Sequence, residues 1–204
     1  MPALFKLKTK KENEIDVFGK IQGSPPEDQS KFRKELIRQL GARNERTLPN
    51  ESYNCHGFTF VSKAGHIGTG TLERKLSLPD DPDFINTGFD QDLVEKDILT
   101  LIADHDLKLK ASTANLHIDK FYSMQNIVPG DIVIYRTFEN QRKLITHSGI
   151  VYKVTNGNNR DGTVNIKILS KIGTEHGEFF HMINNQYIIN MYGIIGEIWT
   201  DAKL

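Results

Sequence analysis

The stretch Pro129-Gly-Asp-Ile-Val-Ile-Tyr-Arg136 decides the fold, because here a turn is followed by a run of apolar, strand-forming residues. A second strand is predicted over 148–154, a polar loop over 156–162, and a third strand over 164–169, where apolar residues alternate with period two. Two further strands are expected within 186–199. The second half of the chain therefore predicts a meander of antiparallel strands.

Upstream of this sheet the sequence predicts two amphipathic helices. The first is capped by Asp28 or Ser30 and ends at Gly41, and the second is capped by Asp90. Their apolar positions recur at helical spacing: Phe32, Leu36, Ile37 and Leu40 in the first, and Val94, Ile98, Leu101 and Ile102 in the second, where His105 ends the same face. Because helices precede the strands instead of alternating with them, the predicted class is α+β.

Length and composition favour a single domain, 1–204, since chains of this size bury a sufficient core alone. The 26 basic and 26 acidic residues give no positive field, which argues against nucleic acid as a partner. Apolar runs are too short to cross a bilayer. Lys6, Lys8, Lys10 and Lys11 stand where a Sec signal would be apolar, and they predict a solvated terminus.

The only cysteine lies in Ser52-Tyr-Asn-Cys-His-Gly-Phe-Thr-Phe60, so no internal disulfide can form. Asn54 is a good helix N-cap, which would put Cys55 in a first turn, where the helix dipole lowers a thiol pKa. Gly57 would leave space beside the sulfur. Two alternatives stay open: Phe58-Thr-Phe-Val61 could begin a strand, and Cys55 could be a small buried hydrophobic residue.

A cysteine nucleophile needs a histidine base that is distant in sequence and close in space. Of the seven histidines, His147 is the strongest candidate, because it opens a predicted strand, where side chains project into clefts. A symmetric hairpin around the 156–162 loop brings Ser170 within reach of its imidazole, as an acceptor for the ring N–H. His181 and Glu178 are alternatives, and Ser170 could equally be a strand-end hydroxyl without a catalytic role.

Four segments together resemble the NlpC and CHAP branch of the papain-like cysteine amidohydrolases and peptidases. They are Asn54-Cys-His-Gly57, Pro129-Gly-Asp-Ile-Val-Ile-Tyr135, His147-Ser-Gly-Ile-Val151 and Leu169-Ser-Lys-Ile-Gly173 with its Gly177…His181 tail. The resemblance implies a papain-like α+β fold, with N-terminal helices packed on a C-terminal antiparallel sheet. It also implies a Cys55 nucleophile, a His147 base, and Asn54, His56 and Gly57 beside the substrate and oxyanion.

The resemblance leaves 1–50 as an N-terminal helical extension and 65–125 as an insertion that would shape the cleft. It implies hydrolysis of an amide bond in a peptidoglycan stem peptide or another peptide, without a cofactor. Without a Sec signal, the expected setting is the cytoplasm or export by a dedicated system, as for an antibacterial effector with an inhibitor or immunity protein. A deamidase or acyltransferase-type toxin and a catalytically silent binding module remain alternatives.

A metal site is not expected from the sequence. His176 and His181 are five residues apart on a glycine-containing segment, and no cysteine or carboxylate accompanies them at ligand spacing.

Overall fold

The computed structural model describes residues 4–9, 11–18, 26–49, 54–61, 86–87, 91–112, 127–139, 142–156, 164–173 and 176–200. The helices are α1 (Pro26–Leu40), α2 (Gln91–Asp104) and α3 (Gln186–Tyr192). The strands are β1 (Leu4–Lys8), β2 (Glu14–Phe18), β3 (Asn86–Thr87), β4 (Lys108–Ser112), β5 (Ile132–Glu139), β6 (Arg142–Asn156), β7 (Val164–Lys171), β8 (Glu178–Met182) and β9 (Ile194–Thr200).

The main sheet has six antiparallel strands in the order β4-β9-β5-β6-β7-β8. The α+β class and the β5–β7 meander predicted from the sequence are confirmed, and β8 extends the meander. Two strands within 186–199 were predicted, and this is wrong, because the first part is α3. Asn185 caps α3 through a bond from the Ile188 amide to its Oδ1 (3.2 Å), and Gly193, with φ of 86°, ends it.

The N-terminal part of the chain is not wholly helical. β1 and β2 form a hairpin that joins β3 in a separate three-stranded sheet, so the expected helical extension over 1–50 is wrong for its first residues. Lys6, expected in a solvated arm, lies in β1 and pairs with Asp16. α1 begins at Pro26, before the predicted caps Asp28 and Ser30, because proline has no N–H to satisfy at a helix start.

Buried side chains cover both faces of the main sheet. On the α2 face, α2 and the segment 58–60 pack against β5, β6 and β7, with Ile134, Ile145 and Leu169 in the centre. On the α1/α3 face, α1 and α3 pack against Tyr135 and Ile168. The described part of 65–125 thus supplies a core helix and, through β4, one strand of the main sheet; the predicted cleft function of this segment stays a prediction. Among the described residues, no helix is long and apolar enough to span a membrane.

Candidate functional site

The Cys55 segment begins as a capped helical turn. The Asn54 side-chain oxygen accepts a hydrogen bond from the Gly57 amide (2.7 Å), and the Asn54 carbonyl accepts one from the Phe58 amide (2.8 Å). The predicted N-cap is therefore present, and the alternative of a strand at 58–61 is wrong, because Gly57–Val61 is a π-helical turn. Such turns are rare and frequently lie at functional sites.

The hydroxyl of Ser148 joins this segment to β6. Its oxygen lies 2.9 Å from His56 Nδ1, 3.0 Å from Thr59 Oγ1 and 3.3 Å from the carbonyl oxygen of Cys55. The three bonds hold the Cys55 backbone against the residue that directly follows His147. Sequence reasoning missed Ser148, although a hydroxyl directly beside the candidate base was the available signal.

A β-bulge determines the direction of the His147 side chain. Tyr135 pairs with His147 and Arg136 with Ile145, so Thr146 is an extra residue in β6. As a result Ile145 packs on the α2 face, whereas His147 points to the α1/α3 face beside Tyr135. The prediction that His147 opens a strand beside a cleft is wrong, since it lies inside the 15-residue strand β6 and is 0% exposed.

The imidazole of His147 is held by rings instead of by hydrogen bonds. It stacks on Tyr192 with centroids 4.0 Å apart and planes 8° apart, and Tyr135 lies tilted at 5.3 Å. Within the described part of the chain, neither ring nitrogen has a hydrogen-bond partner. Burial lowers the pKa of His147 well below its ordinary value, and the neighbouring His181 and His56 add to this, so the ring is neutral.

Cys55 is 7% exposed, and burial raises the pKa of its thiol to about 11. The backbone amides of Ser148, His56 and Cys55 act in the opposite direction, as does the charge of Lys171, but burial outweighs them. The expectation of a lowered thiol pKa is therefore wrong for this closed arrangement. The effect of the Ser148 amide agrees with the bond from the Ser148 hydroxyl to the Cys55 carbonyl oxygen, which joins the Cys55 backbone to Ser148.

Ser170 is bonded to His181 instead of His147. Its hydroxyl lies 2.9 Å from His181 Nε2, and His181 Nδ1 lies 3.1 Å from the Met182 carbonyl, which requires Nδ1 to be the donor and Nε2 the acceptor. A Cβ built on Gly149 would lie 3.0 Å from Ser170 Cβ, so Ser170 lies opposite Gly149. Gly149 is two residues further along β6 than His147. The expected contact from Ser170 to His147 is therefore not formed.

The other candidates are dispersed. Glu178 pairs with Arg46 at 3.1 Å, and His176 stacks on Phe32 with centroids 4.1 Å apart. His105 directly follows α2, as predicted, whereas His66 and His117 lie outside the described residues. Among the described residues, no group of three or more His, Cys, Asp or Glu side chains could hold a metal ion.

The structure thus joins the turn that carries Cys55 to β6 through Ser148, the residue after His147, while the His147 ring lies on the α1/α3 face against Tyr192. Asn54, His56 and Gly57 belong to the same capped turn as Cys55, and Tyr192 stacks on His147. Ser170 and His181 form a separate buried pair on the face that His147 occupies. No protein-family model, no curated protein and no solved structure matches this chain.

Proposed function

We propose that this chain is a papain-like cysteine hydrolase in which Cys55 is the nucleophile and His147 the general base. The observation that carries the proposal is the state of His147, which is fully buried and has no hydrogen-bond partner on either nitrogen among the residues that the structure describes. An unsatisfied buried polar group costs about 1–3 kcal/mol, so such groups need a reason. His181, equally buried, uses both of its nitrogens, as a structural histidine does.

The pKa shifts favour a neutral resting pair over a thiolate and an imidazolium. Because burial raises the thiol pKa and lowers the imidazole pKa, the proton stays on sulfur until substrate arrives. His147 then takes this proton as the sulfur attacks the carbonyl carbon. The same proton passes to the leaving amine as the C–N bond breaks and leaves an acyl thioester. Water, deprotonated by His147, attacks the thioester, and the thiol recovers its proton.

Backbone amides around the sulfur supply donors for the oxyanion. The amides of Cys55 and His56 already act on the thiol, and Asn54 fixes the turn that presents them. A donor of this kind contributes about 3–4 kcal/mol to the transition state where one has been removed and tested. Gly57 has no side chain that would crowd this turn.

Because Cys55 is 7% exposed, the reaction requires a local movement that opens the sulfur to substrate. The three bonds of Ser148 are the contacts that such an opening breaks between the Cys55 segment and β6. The substrate class that the resemblance implies is an amide bond of a peptidoglycan stem peptide or of another peptide.

The test is incubation of the full chain with peptidoglycan fragments and with model peptides, read by mass spectrometry. Cys55→Ala and His147→Gln are expected to abolish turnover, whereas the control His176→Gln keeps it, because that ring stacks on Phe32. New amino termini identify peptide hydrolysis, and released ammonia identifies deamidation. Turnover that survives in Cys55→Ala, or a wild type that binds fragments without changing them, contradicts the proposal.

A further inference from the structure

The end of α3 is attached to the bulge that directs His147. The Thr146 hydroxyl, on the extra residue of the bulge, donates to the Tyr192 carbonyl oxygen and lies 3.2 Å from the Tyr135 carbonyl oxygen. Gly193 follows Tyr192, and a Cβ there would lie 2.1 Å from the Arg136 carbonyl oxygen, so only glycine allows this approach. The helix end and the bulge therefore form one packed unit.

The Tyr192 hydroxyl also has electrostatic neighbours. The Gly173 amide, in the connection from β7 to β8, acts on the Tyr192 hydroxyl and opposes the rise in its pKa that burial causes. Cys55 also raises the pKa of Tyr192, so this ring lies within electrostatic reach of the sulfur as well as against the imidazole. Tyr192 thus stacks on the proposed base and lies within electrostatic reach of the proposed nucleophile.

We propose that Tyr192 is the positioning residue of His147, and that its ring holds the imidazole plane by stacking, whereas a catalytic triad orients the ring through a hydrogen bond to a third residue. A base works only when the correct nitrogen faces the nucleophile, which a third residue ordinarily secures by accepting the other N–H. Among the described residues no such bond to His147 is formed, and the nearly parallel Tyr192 ring at 4.0 Å restricts the imidazole plane. Stacking fixes this plane and does not select which nitrogen faces the sulfur. This inference rests on the proposed function.

The experiment compares Tyr192→Leu, which removes the ring, with Tyr192→Phe, which keeps it. The histidine ring signals of the labelled full chain are recorded by NMR, and His147 is assigned by its absence in His147→Gln. In wild type and Tyr192→Phe we expect the His147 ring protons to be shifted upfield by the stacked ring, and in Tyr192→Leu we expect that shift to be lost. Thr146→Val releases the helix end but keeps the Tyr192 ring, so this variant should lose part of the upfield shift.

Kinetics give the second readout, on the substrate found in the turnover test. Tyr192→Leu is expected to lower kcat by about tenfold or more with KM nearly unchanged, because misplacement of a reacting group acts on the chemical step. Tyr192→Phe keeps the ring and should retain most of the wild-type kcat. Positioning is refuted if Tyr192→Leu and Thr146→Val leave the His147 signals unmoved, or if Tyr192→Phe loses as much kcat as Tyr192→Leu.

Failure of the two proposals is distinguishable. A wild type without turnover overturns the hydrolase, while the NMR comparison still decides whether Tyr192 orients the ring. Should Tyr192→Leu not fold by circular dichroism, the shift measured in Thr146→Val decides.

Discussion

Replacement of Ser148 by alanine should both destabilise the chain and release the Cys55 segment. The hydroxyl serves three partners at once, on His56, Thr59 and Cys55, at 2.9, 3.0 and 3.3 Å, and it is 0% exposed. Alanine leaves these buried groups without that partner and fills none of the space. The substitution weakens the attachment of the Cys55 segment to β6, because all three partners of the hydroxyl belong to this segment.

The magnitude follows from the number of bonds. Each buried group left unsatisfied costs about 1–3 kcal/mol, and the longest of the three bonds is weak, so we expect Ser148→Ala to lower the free energy of unfolding by about 3 kcal/mol. Ser170→Ala is the matched control, since this serine is also 0% exposed but has one side-chain bond, to His181. It should lose about 1 kcal/mol.

Two assays measure this difference. Urea unfolding followed by the fluorescence of Trp199, the only tryptophan, gives the global free energy. Labelling of the folded chain with a thiol reagent gives the local opening free energy at Cys55, because the sulfur is 7% exposed in the closed state. A loss of about 3 kcal/mol confined to this segment corresponds to labelling faster by on the order of 100-fold.

The reasoning is refuted if Ser148→Ala is no less stable than Ser170→Ala. It is also refuted if Cys55 in Ser148→Ala is labelled at the wild-type rate, because then the hydroxyl does not hold the segment closed.

Three further outcomes follow from the same contacts. Because burial raises the pKa of Cys55 to about 11, the free energy of unfolding should fall by up to roughly 3 kcal/mol as pH rises from about 8.5 to 11, and urea titrations of Cys55→Ala should lack this fall. Burial lowers the pKa of His56 and of His181 to about 4, so stability should fall as pH drops from about 6.5 to 4, and His56→Gln should flatten the profile of urea midpoints. The Cβ of Gly193→Ala would lie 2.1 Å from a β5 carbonyl oxygen, so this variant should lower the free energy of unfolding by more than about 2 kcal/mol. The Cβ of Gly173→Ala has its nearest contact at 3.4 Å, so that variant should lose only about 1 kcal/mol. Equal melting temperatures for the two variants would contradict this.

Local patterns were sufficient to predict the elements with clear periodicity. The cap at Asn54, the helix ending at Leu40 and the strands β5, β6 and β7 all follow from neighbouring residues in the sequence. α3 was not predicted because Ile188, Ile189 and Tyr192 favour a strand. The two residues that begin and end the helix, Asn185 and Gly193, lie just outside this apolar segment. The N-terminal hairpin was not predicted because its turn lacks the glycine that usually marks a positive φ; Glu12 adopts a φ of 64° there.

The candidate site was less accessible to sequence reasoning. Cys55 and His147 were selected as candidates by residue type and order, but the expected state of each was wrong, because burial on both faces of a sheet cannot be read from a local motif. The proposed role of Tyr192 depends on α3, a helix where the sequence predicted a strand. The bond of Ser170 to His181 depends on β8, which the sequence did not predict as a strand.

The extra residue at position 146 has a consequence for any comparison of this chain with other proteins. A bulge adds one residue without changing which side its neighbours face, so a sequence that lacks the equivalent of Thr146 could keep Tyr135 opposite His147 and Arg136 opposite Ile145. A gap placed between 147 and 150 would instead exchange the environments of the aligned positions. Alignments that permit a gap at 146, and forbid one in the four positions after it, would therefore be better suited to detecting distant relatives.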